Sequence, residues 1–275
     1  QYMLSVTAFE KTNLNDVMNG VNEAFKNFET EGISQQDLNR IKAGQETAFY
    51  TNLSSVLGKG FQLAQYEIFA GTPDYINQDV KNILAVTTED VMRVYQKYIK
   101  GKHFVATSFV PKGEANLILE GSSLAEVVEE KIIEGKEDSF DASIAATYEK
   151  TPSKFDRSVE PAYGESPDVI LPSVWKSKLS SSLNVLGIEN HEVPLVQFQL
   201  QLKGGMLLEN TDKIGVSTML AELMTKGTKN KTPEQLENAI ESLGATIRAY
   251  ATDESIFISG NTLAKNYNAT IALVQ

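Results

Sequence analysis

The chain has 275 residues, with 25 Lys and Arg against 36 Asp and Glu for a net charge of −11, and 41% of its residues are hydrophobic. That length holds one large domain or two ordinary ones, and the composition is globular, with enough apolar side chains for a sizeable core. The acidic balance argues against a nucleic-acid or anionic-membrane partner, because neutralising phosphates takes clusters of Lys and Arg.

With no cysteine in the chain, disulfides, thiolate metal sites and a Cys nucleophile are excluded, and the redox compartment stays open. No apolar run reaches the ~18 residues of a membrane span. The opening QYMLSVTAFE lacks the basic start and apolar stretch of a signal peptide. It reads instead as a strand, with Tyr2, Leu4, Val6 and Ala8 alternating against Met3, Ser5 and Thr7. A chain that opens in a strand and stops at Gln275 inside a helical pattern is expected to be a piece of a longer protein.

Residues 14–31 change period: Leu14, Val17, Met18, Val21, Phe25 and Phe28 recur at three and four, predicting an amphipathic helix ended by Gly32. Ser34 followed by Asp37 starts a long helical region that breaks near 52–60. Helical spacing resumes through Phe61, Leu63, Ala64, Ile68 and Phe69 until the Gly71-Thr72-Pro73 turn. A short helix over 75–84 and one capped by Thr87 or Thr88 follow, and 103–110 reads as a strand closed by Pro111. Residues 1–112 are thus expected to form an α+β module with helices on one face of a sheet.

Residues 113–168 carry 14 acidic and 5 basic side chains, −9 of the chain's −11. Such charge density opposes compaction. An amphipathic helix is predicted around 124–133, but KTPSKFDRSVEPAYGESPDVILP, with four prolines, reads as an extended connector. Residues 113–173 are therefore assigned as an acidic linker. From Val174 the strand pattern restarts, and Val196, Phe198, Leu200 and Leu202 alternate with Gln197, Gln199 and Gln201, as antiparallel strands require. A helix from about Lys213 to Met224 is followed by one capped by Thr232, with Pro233 at its first position and Gln235 completing the box. Strands at 246–251 and 255–258 and a helix from about Ala264 complete a second α+β module, 174–275. The fold class is α+β: two modules of antiparallel sheet flanked by helices, joined by the acidic linker.

Chemistry-bearing residues are few. The two histidines, His103 and His191, sit in different modules, and a single His does not make a zinc site. Gly58-Lys59-Gly60 and Gly204-Gly205 are too short for a phosphate loop and mark turns or close backbone approach. The sequons at Asn52 and Asn268 lie in helical surroundings and carry no weight.

The segment GIENHEVPLVQFQLQLKGGMLLENTDKIGVSTMLAELMTKGT, residues 187–228, resembles the start of a repeat unit in the pitrilysin/insulinase family of inverted zinc metallopeptidases. Asn190, Pro194, Gly204, Gly205, Gly215, Lys226, Gly227 and Thr228 match that frame, as do Glu241, Leu243, Gly244 and Ala245. At the amino end Gly32-Ile33-Ser34, Gly71-Thr72-Pro73, Val86-Thr87-Thr88-Glu89-Asp90-Val91 and Val110-Pro111-Lys112 resemble, in that order, the close of a unit. In this family an H-x-x-E-H helix sets two imidazoles four residues apart on one face to grip zinc, and its glutamate activates the bound water. The corresponding residues here are Met219, Leu220, Ala221, Glu222 and Leu223. Glu222 alone keeps the family identity, at the general-base position, and Met219 and Leu223 occupy the ligand positions. Neither is a donor zinc prefers. Met219, Leu220 and Leu223 are therefore expected to pack the helix on its sheet, with Glu222 solvated and inert. No catalytic residue is intact, and no metal or cofactor site is expected in this chain.

The resemblance implies the middle of a two-half peptidase: 1–112 closing the first half, 174–275 opening the second. It implies zinc in the full-length parent if that parent is active, and a peptide substrate reached through it. This section would then supply chamber wall and substrate contacts, and a bacterial periplasm or envelope location fits. Two alternatives stand: an inactive subunit paired with a second peptidase subunit or in a homodimer, and an unrelated acidic binding protein. Limited proteolysis should cut first within 135–168, where few apolar side chains hold the backbone; a first cut inside 174–275 would place the boundary elsewhere.

Overall fold

Side-chain caps set the helix boundaries in the first hundred residues. In the computed structural model, which describes residues 2–126, 156, 158–160, 162–166, 168 and 170–275, α1 runs Leu14–Glu31. Asn13 accepts from the Asn15 N–H at its start, and Gly32 ends it with its N–H bonded to the Phe28 carbonyl. Ser34 caps α2 (Gln35–Leu53) by accepting from the Asp37 N–H at 3.0 Å. Ser55 caps α3 (Val56–Ala70), which begins earlier than the apolar spacing alone predicts. A 3₁₀ turn at Pro73–Tyr75 leads into α4 (Ile76–Ala85), and α5 (Thr88–Tyr98) opens on a reciprocal box between Thr87 and Asp90. Each cap satisfies amide donors that the first turn leaves unpaired.

Polar tips on aromatic residues fasten these helices. Tyr95 of α5 stacks with Phe25 and meets Phe28 edge-on, and its hydroxyl donates to Glu29 at 2.7 Å. That bond, with burial, pushes the Tyr95 phenol up to about 12, while Tyr95 and Lys100 hold the Glu29 carboxyl below its usual range. Tyr66 of α3 donates to Asp79 of α4 at 2.6 Å, and burial together with that bond pushes its phenol up to about 12.

The strands expected at the opening and at 103–110 do not form: both segments lack helix or ladder, and Phe104, Val105 and Phe109 are exposed. Alternation alone does not make a strand, because a strand is stable only when its backbone groups pair. The described residues hold two antiparallel sheets, both after residue 173, so the α+β class stands but the sheets lie in the second half of the chain. Of the helix predicted around 124–133, everything from residue 127 lies outside the described residues.

Residues 1–120 and 190–275 form one compact unit, and 121–189 a second. The second contains a hairpin, β1 (Val174–Lys178) with β2 (Asn184–Ile188), in which Trp175 lies opposite Gly187. In the first unit β3 (Leu195–Lys203) and β4 (Thr246–Ala251) flank a central β5 (Ser255–Leu263). β5 extends past the predicted 255–258 because all nine of its residues pair with β3. Along β3 the glutamines are exposed and Val196, Phe198 and Leu200 half-buried, as the alternation predicts. Helices α6 (Val216–Leu223), α7 (Pro233–Ser242) and α8 (Tyr267–Val274) complete the unit, with α7 packed against α2. The segments 1–120 and 190–275 share a core that includes Leu38, Leu236, Ile258 and Leu263.

The α7 start is the clearest local stabiliser: Thr232 accepts from the Gln235 N–H at 3.2 Å and Gln235 returns the bond at 3.0 Å. Thr232→Ala should lower unfolding free energy by about 1 kcal/mol, the usual cost of losing such a cap. Denaturant unfolding checks it, and an unchanged midpoint would mean the box contributes nothing.

Candidate functional site

The turn before α6 is built by close backbone approach. Met206 and Leu207 donate to the Thr252 and Asp253 carbonyls at 3.1 and 2.9 Å, and Gly204 donates to Glu254 at 3.1 Å. At Gly205 a Cβ would lie 2.4 Å from the Thr252 oxygen, so only glycine lets the exit of β3 sit on the β4–β5 turn. Other parts of the frame are also local: Asn190 accepts from the Glu192 N–H at 2.9 Å, and the Pro194 carbonyl accepts from Ala264 at 2.8 Å. Thr228 accepts from the Asn230 and Lys231 amides, closing the Lys226-Gly227-Thr228 turn.

Glu209 organises the start of α6. Its carboxylate accepts from the Gly215 N–H and the Ser217 N–H, each at 2.6 Å, and from the Ser217 hydroxyl. The Ser217 hydroxyl, the Ser217 amide and the Gly215 amide, in that order, hold the Glu209 carboxyl below the usual carboxylate range. A negative charge here also faces the positive end of the helix. The cap explains why α6 begins at Val216, three residues after the predicted start: Gly215 is left-handed (φ 100°) and the preceding residues carry Glu209 into place. Sequence reasoning missed Glu209 because capping signals are read within three residues of a helix, and this carboxylate reaches across six to eight.

The expected packing of α6 is reversed. Met219, Leu220 and Leu223 are 65%, 51% and 58% exposed, while Ala221 is 1% exposed and Ser217 is buried with it. At 100° per residue 217 and 221 share one face, 219 and 223 lie opposite and 220 lies on the flank, and the small side chains let α6 approach β4 and β5. Glu222 is exposed, as expected. The structure therefore brings Met219, Glu222 and Leu223 onto the outward side of one helix. The thioether and the isobutyl group give that side no donor fitted to zinc. His103 and His191 are both exposed, and among the described residues no group of three or more His, Cys, Asp or Glu is placed to hold a metal ion. No helix among them is long and apolar enough to cross a membrane.

Because the folded-state pKa of Glu209 is depressed, its contribution is complete above the ordinary carboxylate value of about 4.3 and is lost as pH falls through the folded value. Glu209→Gln should lower the thermal midpoint by a few degrees at neutral pH, and the gap to the wild type should close below about pH 4. A gap constant down to about pH 3 would show that the charge is not what caps α6.

Residues 184–274 match the family described as Insulinase (Peptidase family M16). An uncharacterized zinc protease of Rickettsia bellii is 30% identical over 98 residues, which cover 36% of this chain and 24% of that protein. A second from Rickettsia felis is 28% identical over the same shares. The chain thus spans about a quarter of the length of these relatives. Among solved structures, a protease from Helicobacter pylori is similar at a TM-score of 0.35 and 21% identity, covering 38% of this chain and 25% of that one. A peptidase M16 inactive domain from Pseudomonas fluorescens reaches 0.35 at 19% identity, covering 37% and 25%. The Gly-Gly turn, the helix after it and the Lys-Gly-Thr turn all fall inside the matched residues, so the similarity to the insulinase family of peptidases, M16, rests on residues 184–274, a third of the chain.

Proposed function

We propose that this chain is a non-catalytic middle section of a pitrilysin-like zinc metallopeptidase, with 1–112 closing one half, 113–173 linking, and 174–275 opening the next. One observation carries the reading: in an α6 whose surrounding turns match the family frame, the two ligand positions hold Met219 and Leu223 while Glu222 remains between them. Peptide hydrolysis belongs to residues elsewhere in the parent, where zinc and its imidazoles would act. The role of this section is to form chamber wall and to contact the peptide. The outward side of α6 supports that role, since Met219, Leu220 and Leu223 lie near Ile214 and Val216 in sequence and all five are exposed. Apolar side chains exposed together mark surface that protein covers. The same surface favours a second reading, an inactive subunit docked on a catalytic one.

The register of α6 is tested by restoring the ligands. Met219→His with Leu223→His should raise zinc affinity at least ten-fold over the wild type in a competition titration, since two imidazoles one turn apart reach one ion. Elemental analysis of the wild type should find no stoichiometric zinc. Unchanged affinity in the double variant, or one tightly held ion per wild-type chain, would remove the reading.

A further inference from the structure

Glu46 sits in the middle of α2 and is 8% exposed, a poor place for a carboxylate unless a cation reaches it. The cation comes from 219 residues away: Lys265 Nζ donates to both carboxylate oxygens at 2.8 and 2.7 Å. The next residue, Thr47, is also buried and donates to the Gly244 carbonyl at 2.7 Å. Arg40, nearly two turns earlier on α2, pairs with Glu241, and Lys59 of α3 pairs with Glu192. Asn261 Nδ2 donates to Thr51 at 3.4 Å. These bonds all join residues 1–120 to residues 190–275, and none involves 121–189.

We propose that α2 carries a charge-keyed docking face for residues 190–275, and that the two segments hold each other without a continuous chain through 121–189. A buried carboxylate and a buried hydroxyl on one helix, both satisfied by the distant segment, specify that partner and its register. Shape adds to charge: a Cβ on Gly244 would lie 2.4 Å from the Ala43 carbonyl oxygen, so the backbone of α2 is fitted to a glycine of the other segment. Three ion pairs, two of them with side chains partly exposed on both sides, make the association sensitive to salt. The proposal stands whether or not the parent is a peptidase.

The test uses the full chain with a site-specific protease sequence inserted after Ala125, in an exposed stretch. The chain is folded first, checked by circular dichroism, and then cut. At about 0.05 M salt the two pieces should co-elute as a one-to-one complex, and at about 1 M, where screening acts within ~3 Å, their dissociation constant should rise at least ten-fold. Glu46→Lys should separate them at low salt, and adding Lys265→Glu should restore co-elution. Glu29→Gln, which removes an ion pair lying wholly within 1–120, should change nothing in the association. Wild-type pieces that elute apart at low salt would overturn the proposal, as would a complex indifferent to both salt and Glu46→Lys.

Discussion

The space a side chain would fill at Gly244 is taken by the backbone of α2, and much of the larger unit follows from that contact. Gly244 ends α7 in a left-handed conformation (φ 60°), which glycine adopts without cost. It also lets Ala43 and Thr47 come close enough for Thr47 to bond its carbonyl. Once α2 lies there, Glu46 is buried and needs Lys265, and Arg40 meets Glu241. The Leu243-Gly244-Ala245 phrase therefore does two jobs, stopping a helix and admitting another. Ala245, buried directly after it, begins the path into β4.

The same steric reasoning explains the turns around α6. The matching residues are turn formers: Gly205 clears the β4–β5 turn, Gly215 opens α6, and Thr228 closes the turn after it. Their demands are steric and local, so they persist whatever projects from the outward side of α6. Positions 219 and 223 are not constrained by these turns.

Features governed by near neighbours were legible in the sequence. Caps at Ser34, Thr87 and Thr232, the stops at Gly32 and Gly71, and the alternation of β3 all appear where their patterns place them. Features governed by distant partners were not. The alternation of 103–110 resembles that of β3, yet β3 has β5 to pair with and 103–110 has no ladder among the described residues. In α6 the apolar residues suggested the buried face, but close approach to β4 favours the smallest side chains, and Ser217 and Ala221 won. The docking of α2 on α7 joins residues about two hundred positions apart, and no local pattern announces it.

An eight-residue helix is too short to be stable alone, since nucleation costs more than so few bonds return. α6 must therefore be held from outside, and both holds lie away from its outward side: Glu209 at its first turn, and Ala221 against the sheet. Neither depends on residues 219, 220 or 223. Exposed apolar side chains at those positions give up burial the helix does not need, so substitutions there should have little effect on folding. The constraint that keeps α6 in place is thus physically separate from the constraint that would make it grip a metal ion. A fold of this kind can lose one without losing the other.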